Sequence, residues 1–156
     1  MTDAELLRRA VELAVESARA GGGPFGAVVA KDGVVVATGA NQVVQVGDPT
    51  AHAEIAAIRA ACRELDTHVL AGTVMYSSCE PCPMCLAACV WARVDRAVFA
   101  ASRFDAAAAG FDDAALYDEM AAPLTQRRML PIEQLLAGEA SRPFSVWAAA
   151  ADRAPY

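Results

Sequence analysis

Residues 73–85 have the sequence TVMYSSCEPCPMC, in which three cysteines spaced three apart follow a short apolar run. The run Thr73–Ser77 is typical of a β-strand. Pro83 stands where the first residue of a helix is expected, and this helix is predicted to continue to about Arg93. The thiols therefore lie between a strand and a helix, and their dense spacing predicts a metal site.

The flanking sequence predicts an α/β fold. An amphipathic helix over Asp3–Ala20 ends at the breaker run Gly21–Pro24. Two β-branched runs on either side of Lys31-Asp32-Gly33 predict a hairpin. The other predicted elements are a helix from Ala51 to about Leu65 with Thr50 as its N-cap, a strand over Asp95–Ser102, a helix over Asp112–Met120, a strand over Arg128–Leu136 and a helix over Ser145–Ala151. This order predicts a sheet, part parallel and part antiparallel, that is covered by helices.

Length and composition predict one domain over residues 1–156. The formal net charge of −6 argues against binding to nucleic acid and favours a small neutral ligand. The chain contains neither a run of eighteen apolar residues nor the basic-then-apolar start of a secretory signal, so we expect a cytoplasmic protein without a membrane partner. Its apolar composition, 56% hydrophobic, favours an oligomer.

A second motif, Thr50-Ala51-His52-Ala53-Glu54, adds an imidazole and a carboxylate at another predicted helix start. Residues two apart lie about 200° round a helix, so His52 and Glu54 converge only on a point near the helix end. Cys82 and Cys85 are three apart and share one face. Because helix N-termini favour thiolates, two helix starts can meet at one zinc ion, with Glu54 as a base beside it.

The spacing of the thiols leaves other interpretations open. Cys79 can complete a closed, structural zinc site with His52 and the two later thiols. Four cysteines also follow the C-x₂-C-x₂-C-x₃-C spacing of bacterial ferredoxins, which predicts an iron–sulfur cluster, although Val90 replaces the expected proline. These four are Cys79, Cys82, Cys85 and Cys89. A third interpretation is a set of ordinary buried cysteines.

Blocks along nearly the whole chain form one pattern: Gly23–Val28, Asp48–Glu54, Ser78–Cys85, Trp91–Arg93, Ala109–Asp113 and the terminal Tyr156. Together they resemble the zinc-dependent nucleobase deaminases of the cytidine deaminase-like superfamily, and among these the bacterial guanine deaminases. The resemblance implies a three-layer α-β-α sandwich around a mixed, mostly five-stranded sheet. It also implies hydrolytic deamination of guanine to xanthine and ammonia, with ammeline or cytosine as the alternative substrate.

The resemblance assigns a role to each site residue. His52, Cys82 and Cys85 bind zinc and leave the fourth position to water, while Glu54 acts as general acid and base. Asn41 and the Ala53 backbone are implied to hold the polar edge of the base. Phe25 is implied to stack on the ring, with Trp91 as a candidate for the aromatic wall. Asp113 is implied to assist at the amino group, and Tyr156 to close a partner's site. The last role implies a homodimer that exchanges its C-terminal segment, about residues 140–156.

Overall fold

The computed structural model describes residues 1–154, which form two compact units, Met1–Tyr117 and residues 118–154. The elements up to the junction are α1 (Asp3–Arg19), β1 (Gly26–Lys31), β2 (Val34–Ala40), α2 (Val43–Val46), α3 (Ala53–Glu64), β3 (Thr73–Cys79), α4 (Pro83–Trp91), β4 (Arg96–Ala101), α5 (Arg103–Ala108) and α6 (Ala114–Ala121). The second unit also contains two short 3₁₀ helices, Leu124–Gln126 and Ala137–Glu139, and α7 (Arg142–Ala149). Within residues 1–154, every helix is too short or too polar to cross a bilayer.

The first unit is a sandwich in which helices pack on both faces of one mixed sheet. The strand order is β2-β1-β3-β4, with β1 antiparallel to both of its neighbours and β3 parallel to β4. On one face α1 packs through Leu6 and Ala10 against Val28 and Tyr76. On the other face α3 and α4 pack against Val29, Met75 and neighbouring apolar side chains. The predicted α-β-α sandwich is confirmed.

The predicted hairpin is confirmed at its turn. Asp32 and Gly33 join β1 to β2 with φ angles of 50° and 75°. Two consecutive positive φ angles are typical of a type I′ turn, whose twist matches that of the paired strands.

The prediction of a fifth strand is wrong for the described residues, since the sheet has four. The segment 128–136, predicted as the last strand, forms no ladder. The backbone N–H groups of Arg128 and Met129 donate instead to Oε1 of Glu119, each over 2.7 Å. Pro131 has no N–H to donate, so the middle of the segment also lacks a ladder donor.

Helix α3 begins later than predicted, with His52 rather than Thr50 as its N-cap. The backbone N–H and the hydroxyl of Thr50 both donate to Oδ1 of Asp48, over 2.8 and 2.7 Å, and close a turn ahead of the helix. Thr50 is therefore committed to its own turn, and His52 occupies the helix start. The sequence pattern did not predict the short helices α2 and α5.

A close contact between β2 and α3 fixes the height of the α3 N-terminus above the sheet. A Cβ added to Gly39 would collide with the carbonyl oxygen of Ala53 and lie 2.6 Å from the backbone nitrogen of Ala57. Only glycine leaves room for this approach. The first turn of α3, which carries His52 and Glu54, is consequently held directly on the sheet.

Candidate metal and substrate site

Three side-chain donors converge where α3 and α4 begin. Nδ1 of His52 lies 3.5 Å from Sγ of Cys82 and 3.5 Å from Sγ of Cys85. For a tetrahedral zinc ion with Zn–N of about 2.0–2.1 Å and Zn–S of about 2.3 Å, nitrogen and sulfur are expected about 3.6 Å apart. The donor types and their spacing thus fit zinc.

Two of the three donors belong to N-cap residues. His52 caps α3 and Cys82 caps α4, both with extended backbone angles, and neither makes a side-chain capping hydrogen bond. Cys85 lies three residues into α4 and is fully buried. Because the helix N-termini present unpaired N–H groups and partial positive charge, they stabilise the thiolates that metal binding requires.

The two ligand thiols are electrostatically coupled. Contact with Cys85, followed by contact with His52, lowers the pKa of the Cys82 thiol far below its usual range. The same contact, together with burial, raises the pKa of Cys85. Both thiols must ionise to coordinate a divalent cation, so metal binding releases their protons.

Cys79 and Cys89 lie outside the donor cluster among the described residues. Burial raises the pKa of the Cys79 thiol, whose Sγ lies 3.8 Å from the carbonyl oxygen of Ser102. Burial also raises the pKa of Cys89 to about 11. Burial thus disfavours the thiolate form that a metal ligand requires at both positions. The structure therefore assembles the three-ligand set, not the closed zinc site or the four-cysteine cluster.

Glu54 supplies a carboxylate beside the three donors. It lies in the first turn of α3, is 5% exposed and lines the same pocket as His52 and Cys82. Its Oε1 accepts a hydrogen bond of 2.8 Å from the hydroxyl of Ser77 on β3. A buried carboxylate held in this way can exchange protons with a ligand in the pocket.

The pocket next to these residues has a volume of about 280 Å³. Its walls are formed by Gly23, Phe25, Asn41, Val44, His52, Glu54, Cys79, Glu80, Cys82, Arg103, Ala106, Phe111, Asp113 and Tyr117. The rings of Phe25 and Phe111 are nearly perpendicular, at 85°, with centroids 5.1 Å apart. An aromatic wall opposite a few polar groups is typical of a site for a small, flat ligand.

Asn41 is held in place by its neighbours and is 9% exposed. The backbone N–H of Val43 donates to its Oδ1 over 3.3 Å, which leaves the Nδ2 group to donate to a ligand. A Cβ on Gly23 would lie 2.9 Å from Cγ and Oδ1 of Asn41, so this wall requires glycine.

The structure separates the two adjacent acids at the start of α6. Oδ1 of Asp112 accepts a hydrogen bond of 2.9 Å from the backbone N–H of Ala114. Asp113 instead lines the pocket, where partial burial and then the charge of Cys82 raise the pKa of its carboxyl group. Asp113 is thus the acid that faces a bound ligand.

One of the sequence-predicted site residues lies away from the pocket in the single chain. Trp91 does not line the pocket; it is 72% exposed at the last position of α4, about 13 Å along the helix from Cys82. Tyr156 lies outside the described residues. Ala53 is fully buried at the first position of α3, between two pocket-lining residues.

Several pocket residues were missed by reasoning from the sequence. The guanidinium carbon of Arg103 lies 4.4 Å from the ring centroid of Tyr117, and its backbone N–H donates to Oε2 of Glu80 over 3.0 Å. The hydroxyl of Tyr117 donates to the carbonyl oxygen of Pro81 over 3.1 Å. Phe111 lies within a block that the family resemblance singled out, whereas no local signal points to Arg103 or Tyr117.

Comparisons with known proteins agree with this geometry. Residues 1–101 match the model of the cytidine and deoxycytidylate deaminase zinc-binding region. The chain is 47% identical to a guanine deaminase from Bacillus subtilis over the full length of both chains. A crystal structure of the Bacillus subtilis guanine deaminase matches with a TM-score of 0.95, covering 100% of this chain and 99% of that one.

Two further relatives match over less of the chain. A guanine deaminase from Nitrosomonas europaea is 38% identical with a TM-score of 0.66, covering 70% of this chain and 64% of that one. A tRNA-specific adenosine deaminase from Aquifex aeolicus is 44% identical over 78 residues, half of this chain. The family model covers more than half of the chain, and the zinc donors are assembled within that region. This chain therefore belongs to the family of the cytidine and deoxycytidylate deaminase zinc-binding region, and it is a zinc-dependent hydrolytic deaminase.

Proposed function

We propose that this protein deaminates guanine to xanthine and ammonia in purine catabolism or salvage. The observation that carries the proposal is a single small pocket in which His52, Glu54 and Phe25 line the same space. The full-length similarity to the Bacillus subtilis guanine deaminase supports guanine as the base. The net charge of −6 supports a free base rather than an RNA substrate. Five free cysteines suit action in the reducing cytoplasm.

The proposed reaction adds water at the amino-bearing carbon of the base and breaks its C–N bond. His52, Cys82 and Cys85 would hold the zinc ion, which would supply the Lewis acidity that activates water. Glu54 accepts the proton that the water loses and delivers it to a ring nitrogen. Glu54 then accepts the proton of the new hydroxyl group and delivers it to the departing amino group, so that the carbonyl forms as the C–N bond breaks and ammonia leaves. Asp113, which lines the same pocket, assists at that amino group.

The remaining pocket residues orient the base. Phe25 stacks on the ring, and Phe111 supports Phe25 through their perpendicular contact. Nδ2 of Asn41 and the backbone of Ala53 hold the polar edge of the base. Binding therefore depends on a flat ring and on one set of polar edge groups, which guanine and ammeline share.

The substrate is tested by measuring ammonia release from guanine, ammeline, cytosine, adenine and cytidine under identical conditions. We expect guanine to give the highest kcat/KM. Adenine lacks the oxo group that the polar wall pairs with, so its kcat/KM should be lower by roughly 10⁴-fold. A higher kcat/KM for ammeline would make the aminotriazine the substrate, and no release from any compound would contradict the deaminase proposal.

We also infer that the active form is a homodimer with an exchanged C-terminal segment. In the second unit, taken by itself, large apolar side chains are exposed: Leu124, Met129, Leu130, Ile132, Leu135, Leu136, Phe144, Val146 and Trp147. A second copy of the chain offers these side chains a surface on which to bury. The segment that includes α7 then completes the partner's pocket.

Subunit complementation tests this arrangement. A chain truncated after residue 139 should be inactive because it supplies no closing segment, and full-length Glu54→Gln should be inactive because it lacks the base. Mixed and refolded together, they should recover activity, since the variant's tail closes the intact pocket of the truncated chain. Absence of recovery in a mixture shown to contain heterodimers would contradict exchange between subunits.

A further inference from the structure

A hydroxyl group lies in an otherwise apolar layer beneath α3. Ser77 is 2% exposed and belongs to β3, whose side chains alternate between the two faces of the sheet. Met75, two residues earlier on the same face, belongs to the apolar cluster formed with α3 and α4. An apolar side chain would suit position 77 equally well for packing. A buried hydroxyl at such a position destabilises the fold unless it is hydrogen-bonded.

The hydrogen-bond partner of this hydroxyl is the carboxylate of Glu54. Oγ of Ser77 donates to Oε1 of Glu54 over 2.8 Å, and both side chains are almost completely buried. Hydrogen bonds to an ionised carboxylate are stronger than neutral ones, particularly away from water. The bond therefore restricts rotation of the carboxylate about its terminal torsion. Oε1 is held by Ser77 on the sheet side, while the carboxylate also contacts the thiol of Cys85 and lines the pocket.

We propose that Ser77 is a positioning residue that fixes the orientation of Glu54 and presents Oε2 as the oxygen that carries protons. The inference rests on the proposed function, in which Glu54 moves a proton from water to the base and then to the amino group. Ser77 keeps its own proton throughout, because Oε1 accepts the hydrogen bond whether or not Oε2 is protonated. Its contribution is geometric, and it acts through Glu54 without touching the base.

The test is a comparison of Ser77→Ala and Ser77→Thr in the zinc-loaded protein with guanine as substrate. A misplacement of a reacting group by about 1 Å costs up to about 10²-fold in rate, so Ser77→Ala should lower kcat by roughly 10- to 100-fold. KM and zinc content should stay at the wild-type values, because the base and the metal contact other residues. Ser77→Thr retains the hydroxyl and should recover most of kcat.

Ser78→Ala is the matched control, since it removes the adjacent buried hydroxyl from the other face of β3. Oγ of Ser78 accepts a hydrogen bond of 3.0 Å from the backbone N–H of Gly26, away from Glu54. This variant should lower the thermal midpoint while leaving kcat unchanged. If Ser77→Ala folds poorly, Ser77→Cys replaces it in the test. A thiol has a similar shape but is a weak hydrogen-bond donor, so this variant should also lower kcat.

The outcomes separate the inference from the function on which it rests. A wild-type kcat for Ser77→Ala, or equal losses of kcat in Ser77→Ala and Ser78→Ala, would overturn the positioning role while the deaminase activity stood. A loss of kcat in Ser77→Thr as large as in Ser77→Ala would also overturn the positioning role. A wild-type protein that deaminates no tested base would overturn the proposed function and this inference with it.

Discussion

Replacing Glu54 with glutamine is expected to lower kcat by roughly 10³-fold while leaving one zinc ion per chain. General acid–base catalysis contributes typically 10²- to 10⁴-fold, and the amide cannot accept the proton that the water loses. Zinc should remain, because Glu54 is not one of the three clustered donors. The glutamine has nearly the same shape, so Oε1 can still accept the hydrogen bond from Ser77. Steady-state ammonia release measures the loss of kcat, and metal analysis of the same preparation measures the zinc content.

Glu64→Gln provides the control on the same helix, since Glu64 is exposed at the last position of α3. It removes the same charge at a distance from the pocket and should retain wild-type kcat and zinc. An active Glu54→Gln variant would contradict the assigned base. Loss of zinc from Glu54→Gln alone would instead place the carboxylate among the metal ligands.

Replacing Cys85 with serine is expected to abolish zinc retention and activity together. Cys85 is fully buried and supplies one of three ligand atoms, so no solvent-exposed group can take its place. A bound metal ion contributes several kcal/mol of charge stabilisation in the transition state. Its loss should therefore lower kcat/KM by roughly 10³-fold or more. Zinc content after dialysis and ammonia release report the two effects.

Cys79→Ser is the matched thiol-to-hydroxyl control for the metal site. Cys79 is also buried, but burial raises the pKa of its thiol and it lies outside the donor cluster. The variant should keep one zinc ion per chain. Zinc loss equal to that of Cys85→Ser would mean that Cys79 is a fourth ligand and that the site is closed. Bound iron with visible absorption in the wild type would revive the iron–sulfur interpretation.

Local signals predicted most of the first unit. The amphipathic period of α1, the Asp32-Gly33 turn and Pro83 at the start of α4 each act within a few residues, and the structure retains all three. Where the prediction from sequence was wrong, contacts between distant residues determined the structure. Segment 128–136 has residues suited to a strand, but its first two N–H groups bond to Glu119 and no described strand pairs with it.

In the candidate site, too, the residues in local motifs were predicted and those that depend on distant contacts were missed. His52, Glu54, Cys82 and Cys85 were predicted because each motif is compact and its spacing restricts the geometry at a helix start. Ser77 was missed, because its role depends on a hydrogen bond to a residue 23 positions earlier that no local pattern encodes. Arg103 and Tyr117 reach the pocket through the packing of α5 and α6, which no local pattern encodes. Trp91 lies at the last position of α4, outside the lining of this pocket in the single chain, and its contact with the base stays a prediction.

The two N-cap positions imply a trade-off between stability and function. Serine, aspartate or asparagine at a helix start stabilises a protein by about 1 kcal/mol relative to a residue that makes no cap. His52 and Cys82 make no such bond, so each helix lacks the stability that a better cap would give it in the metal-free chain. Selection for stability alone would replace both residues. Their presence at two helix starts that meet is thus a mark of selection for activity, and a search for stabilising substitutions in this chain would propose first the changes that destroy its site.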